Sequence, residues 1–210
     1  MLVTFHREAG RAYHAIIDRP DGVVVRLKGG SYNPFEPPLP HDIAHLVVED
    51  GLGLEHGLWG VIAAGGLFGQ SAVLAGRRRP HAARRARELV KAHHDELNQA
   101  EMVVAAVCRM VHEGREGDRR MLAQLTGRWR PDPAAAGRIP AVGARLREAA
   151  ADWDAVPVGE TLALEWGGVR RKGTRRAVND ARPRPANGWS IATVGPGCRN
   201  GPAPSPPADP

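Results

Sequence analysis

The sequence predicts an α+β fold, in which a small antiparallel sheet packs against a helical bundle and a disordered tail follows. Three observations predict it. The opening stretch to Lys28 alternates apolar and polar residues between clear turn signals. Most of the middle of the chain repeats its apolar residues at helical spacing. After the helices, Thr161–Trp166 alternates once more, and its return to the N-terminal meander would close a single domain over residues 1–168.

Leu2–Arg7 reads as the first strand, and Glu8-Ala9-Gly10 as a turn. Tyr13–Asp18 and Val23–Lys28 are strands joined by Arg19-Pro20-Asp21-Gly22, where Pro presets a turn and Gly tolerates a positive φ. His6 and His14 fall in these strands and read as ordinary sheet residues. Gly29–Leu39 is a Pro- and Gly-rich loop, of a kind that often rims a pocket. A short helix follows from Pro40, which suits a first helical position because its missing N–H goes unused there. Asp42 then meets the positive end of the helix dipole, and Gly51 and Gly53 supply the stop.

Leu52–Phe68 reads as a tightly packed core helix whose glycines let another backbone approach. It matches neither GxGxxG nor GK[ST], so a phosphate loop is not favoured. From His81 to His112 the pattern is one long helix, with Leu89, Val90, Leu97, Ala100, Val104, Val107, Cys108 and Val111 as its apolar stripe. Asp118–Leu125 is a short helix, Thr126–Pro131 a break, and Ile139–Val156 a further helix. From residue 169 the chain is basic and then rich in Pro and Gly, a composition that cannot bury a core.

The helix after Pro40 carries the clearest chemistry. At about 100° per residue, His41, His45 and Glu49 fall at roughly 0°, 40° and 80°, with Asp42 beside them at roughly 100°. Ile43, Ala44, Leu46, Val47 and Val48 fill the remaining faces. A solvated face usually carries Lys and Arg; this one carries only His, Asp and Glu. Two His one turn apart, with a carboxylate one turn on, can bind a transition metal through two imidazoles and an oxygen. The same stripe also reads as a hydrogen-bonded structural feature. Glu101 borders the apolar stripe of the long helix, and a carboxylate there calls for a partner or a metal. Helix packing would let it complete a site with His41, His45 and Glu49, and His56 is a further candidate ligand. Asp42 is the candidate general base, or the group that orients a His. The metal expected is divalent, zinc or iron.

His41-Asp42-x-x-His45 resembles the zinc motif of the coenzyme Q biosynthesis protein family, HDxxH followed after eleven residues by a Glu. Here that position is Gly57, with Glu55 and His56 just before it. The longer pattern, PHDxxHxxxE before a Gly-rich apolar stretch, resembles a family of uncharacterised bacterial proteins, and that resemblance implies no activity.

Charge divides the chain. Residues 1–76 hold five Arg or Lys and eight Asp or Glu, a net of −3, while the whole chain is +6. The excess lies in Arg77–Lys91 and in the stretch from Arg170 to Arg184. Those segments support an alternative reading, a nucleic-acid-associated or regulatory protein without catalysis, although no DNA-reading module and little aromatic content accompany them. Cys108 falls in an apolar helix and Cys198 in the tail, so no disulfide is expected, which suits the cytoplasm. No signal peptide is read at the start, and no apolar run reaches the roughly 20 residues of a membrane span. The first reading is therefore a protein with a metal site on the His41–Glu49 helix, extending to a metal-dependent enzyme acting on an unknown small molecule.

Overall fold

The first 28 residues form the expected meander of β1 (Leu2–Arg7), β2 (Tyr13–Asp18) and β3 (Val24–Lys28). This computed structural model describes residues 1–33, 35–77, 80–127 and 132–167, all within the unit Met1–Lys172. A small ribbon follows, β4 (Tyr32–Asn33) against β5 (Leu39–Pro40). Next come α1 (His41–Leu52), α2 (Leu58–Ala63) and β6 (Ser71–Ala75). The helices α3 (Ala82–Ala92), α4 (His94–His112), α5 (Arg119–Thr126), α6 (Pro133–Gly137) and α7 (Ile139–Ala155) lead to β7 (Thr161–Glu165). The sheet order is β6-β3-β2-β1-β7, with every neighbour antiparallel. The fold is α+β, and the late strand does return to the meander, pairing Val3 with Leu164 and Phe5 with Leu162.

One sheet face carries the alternate residues Val3, Phe5, Tyr13, Ala15, Ile17, Val25 and Leu27, all buried. They join one core with residues of α1, α4 and α7. Phe5 meets Trp59 edge-on at 5.8 Å between ring centroids, and Tyr13 meets Trp153 at 6.1 Å. Arg7 ties the sheet to the end of α7. Its guanidinium donates to the carbonyls of Trp153, Asp154 and Val156 at 2.9, 2.9 and 2.7 Å, where the helix leaves acceptors unsatisfied.

Several elements differ from the sequence reading. Pro40 precedes α1 as its N-cap and pairs in β5, so the loop from Gly29 contains a short ribbon. Gly51 lies within α1, where a β-carbon would come 2.5 Å from the Val142 side chain, and Gly53, at φ 72°, ends the helix instead. Leu52–Phe68 is therefore not one helix. Its first residue belongs to α1, and only Leu58–Ala63 forms α2. The long helix expected over His81–His112 is two, separated at His93 (φ −104°, ψ 23°), whose ring stacks on His56 at 4.2 Å. Apolar spacing runs through the break, so periodicity gives no sign of it. The edge strand β6 lies in a stretch without alternation, and α6 starts just after the expected break, capped by Asp132. The basic and Pro/Gly-rich tail expected from residue 169 lies outside the described residues.

Candidate metal centre

Helix α1 presents its polar stripe toward α4. His41 and His45 lie one turn apart, with ring centroids 4.4 Å apart. Both rings turn Nε2 toward one oxygen of Glu101 on α4. His41 Nε2 is 3.5 Å from Glu101 Oε2, and His45 Nε2 is 3.2 Å from it. The three side chains can hold a metal ion, since one ligand atom from each lies within 4.8 Å of the others. For a tetrahedral zinc with bonds of about 2.0–2.1 Å, neighbouring ligand atoms stand about 3.3 Å apart. The observed pair of distances brackets that separation.

The other nitrogen of each ring faces a carboxylate. His45 Nδ1 donates to Glu49 Oε1 at 2.9 Å, and His41 Nδ1 is 3.7 Å from Asp42 Oδ1. A proton on Nδ1 leaves the Nε2 lone pair free, as a metal ligand requires. Glu49 is itself held. The backbone N–H of Leu58 donates to Oε1 at 2.8 Å and that of Trp59 to Oε2 at 2.9 Å. One buried carboxylate thus caps the start of α2 and orients His45. Gly57 makes this approach workable, because a β-carbon there would come within 2.5 Å of Glu49 Oε1 and 2.6 Å of Oε2. Trp59 closes the arrangement by donating its indole N–H to the Asp42 carbonyl at 3.0 Å.

Tyr13 anchors the front of α1. The Asp42 N–H donates to its hydroxyl at 3.4 Å, and the hydroxyl donates to the Ser31 carbonyl at 3.2 Å. Burial, and then the nearby Asp42 charge, push the Tyr13 hydroxyl well above the usual phenol range. The Asp42 and Glu101 carboxylates raise His41 to about 9 against the opposing effect of burial. Burial of His45 opposes its charged form, yet its bonds to Glu101 and Glu49 outweigh that and leave its pKa raised. Both imidazoles, His41 first, hold the Glu101 carboxyl well below the ordinary range. So the carboxylates favour positive charge at this place: protons on the imidazoles carry it in the metal-free chain, and a metal ion would have to displace them.

Exposure differs sharply across the set. The His45 side chain is 1% exposed and that of Glu49 is buried, whereas His41 is 32% and Glu101 56% exposed. The side of the cluster formed by His41 and Glu101 therefore faces solvent. The structure thus gathers His41, His45 and Glu101, with Asp42 and Glu49 behind the two rings. Glu49 directs both of its oxygens to α2 and His45. His56 stands apart, exposed and stacked on His93. Spacing alone did not reveal Gly57, Trp59 or Tyr13. A glycine opening an apolar helix shortly after an acidic stripe was the available signal for the first.

The later part of the basic segment lies in α3, whose Arg84, Arg85, Arg87 and Lys91 are exposed; residues 78 and 79 and the segment from Arg170 to Arg184 lie outside the described residues. No helix among the described residues is long and apolar enough to cross a membrane.

Fold and cluster together define an α+β domain with a two-histidine, one-carboxylate group suited to a metal ion. Compared with models of known families, with curated proteins and with solved structures, the chain matches none.

Proposed function

We propose that the protein is metal-dependent and binds a divalent transition metal, zinc or iron, through His41, His45 and Glu101. The observation that carries this reading is the convergence of both Nε2 atoms on Glu101 Oε2, with each Nδ1 turned to a carboxylate. Two imidazoles and a carboxylate suit zinc with an open position, or non-haem iron. The likeness of His41-Asp42-x-x-His45 to the coenzyme Q biosynthesis zinc motif supports zinc. Gly57 departs from that motif, and in this reading Glu101 supplies the carboxylate from another helix.

A metal held there would act as a Lewis acid on a small molecule reaching the solvent-facing side. The chain's own residues divide the remaining work. Glu49 fixes the ring of His45, and Asp42 orients His41 rather than meeting the substrate, since it lies behind that ring. The reaction class this supports is metal-assisted hydrolysis or a lyase step.

Elemental analysis of the full chain, purified without chelator, tests the reading. One equivalent of metal is expected. A His41→Ala/His45→Ala variant and Glu101→Gln should each lose it while staying folded by circular dichroism. Wild-type protein that carries no metal, and takes up neither added zinc nor added iron, would refute it.

A further inference from the structure

Away from the His/Glu cluster, a cleft of about 660 Å³ lies between the β3–β6 edge of the sheet, the turn after α2, and α3. That volume is in the range of small-molecule sites, roughly 300–1,000 Å³. Part of its lining is apolar. Val23 and Val73 come from the sheet side, and Ala86 and Leu89 from α3. Three arginines also line it, Arg19, Arg77 and Arg85.

The charges are unevenly matched. Arg19 is nearly buried, with its side chain 7% exposed, and it grips the Asp21 carboxylate at two points. Glu88, the other acid on the cleft, faces Arg84 at 3.6 Å. Both acids of the lining thus have their cation. Arg77 and Arg85 have no carboxylate within ion-pair distance among the described residues. Two unanswered cations over apolar walls are complementary to a molecule with an anionic head and an apolar body.

We propose that this cleft binds a small organic anion, with Arg77 and Arg85 holding its anionic head and the Val73–Leu89 walls covering its apolar part. Arg19, locked by Asp21, supplies a fixed edge rather than a free charge. A nucleic-acid strand fits the observations less well, because the two cations share the cleft lining with Val23, Val73, Ala86 and Leu89 and with the acids Asp21 and Glu88.

The experiment uses the full chain with chelator present, so that the metal cluster plays no part. The probe is 8-anilinonaphthalene-1-sulfonate, an aromatic sulfonate whose fluorescence rises in an apolar site. Saturable binding with one site per chain is expected. An Arg77→Gln/Arg85→Gln variant should weaken it about tenfold or more, as the loss of charge-assisted contacts predicts. Arg87→Gln/Lys91→Gln, at exposed positions of the same helix outside the cleft, should change it by less than about twofold. The uncharged analogue N-phenyl-1-naphthylamine should bind at least about tenfold more weakly than the sulfonate. Absence of saturable binding would overturn the proposal. So would equal weakening by the two double variants, which would mark general surface charge, or no weakening by the first, which would place the anion elsewhere on the chain.

Discussion

Gly57→Ala is the substitution that most directly tests how this site is built. The backbone at Gly57 (φ −74°, ψ −168°) is open to any residue, so alanine brings no backbone strain. What it brings is a methyl group 2.3 Å from Glu49 Cδ, where ordinary contact begins at 3.4 Å. The carboxylate must retreat by the difference, about 1.1 Å, and Glu49 is on a core helix that cannot follow freely. Retreat on that scale stretches the bonds from the Leu58 and Trp59 N–H groups, now 2.8 and 2.9 Å, to as much as about 4.0 Å, beyond useful length. Losing two bonds to a buried carboxylate predicts destabilisation of about 2–4 kcal/mol. Because Glu49 also sets the ring of His45, metal affinity should fall about 10–100-fold. Urea unfolding of chelator-treated protein reads the first effect, and a zinc titration against a competing indicator reads the second. Gly30→Ala is the control, since nothing lies within 4 Å of a β-carbon there. A Gly57→Ala protein as stable as that control, with unchanged zinc affinity, would refute the account of Glu49 as a shared clamp.

Two further predictions concern titration and reactivity. In metal-free protein His41 titrates near 9 rather than at its ordinary 6.5, chiefly because Asp42 and then Glu101 favour its charged form. A raised folded-state pKa means that this stabilisation is complete below pH 6.5 and is lost as pH rises through about 9. Urea midpoints of chelator-treated protein should fall across that window, and less steeply for His41→Ala; equal slopes would exclude His41 as the source. Cys108 is 4% exposed, and burial pushes its thiol up to about 12. Native protein should therefore resist iodoacetamide near neutral pH and react only when unfolded, as mass spectrometry would show. Rapid labelling at this position in the native state would contradict its burial.

The parts of the fold that were legible in the sequence are those where a local pattern reports directly on burial. The alternation of Val3 and Phe5, or of Tyr13, Ala15 and Ile17, is the pleat itself, and it located the strands of the meander. The α1 stripe was equally direct, because helical geometry alone puts His41, His45 and Glu49 on one side. What failed was anything set by a distant partner. The α3–α4 break coincides with a stacking contact between His93 and His56, far apart in the chain. The edge strand β6 is held by its ladder with β3 and not by its own composition. Likewise Glu49 and Glu101 are both carboxylates beside apolar runs. Only the fold separates the one turned into the start of α2 from the one turned toward the imidazoles.

That separation also explains how the site divides its labour. The α1 half is preorganised: Ile43, Leu46, Val47 and Val48 fix the helix in the core, and Glu49, Asp42 and Tyr13 fix the rings upon it. The α4 half contributes one half-exposed carboxylate on a helix anchored by Val103, Val104 and Val107. A metal between them is a cross-link between two separately packed helices. It should stabilise the folded chain by mass action, about 2.7 kcal/mol at a free metal concentration one hundred times its dissociation constant. The two carboxylates then differ in what their loss removes. Glu49 supports the fold and the ligand geometry together, so its removal confounds the two. Glu101 meets the imidazoles at an exposed surface, so Glu101→Gln removes the cross-link while leaving both helices packed. Loss of the metal-dependent increment in that variant, measured against its own metal-free stability, is the signature that distinguishes a metal site from a buried polar stripe.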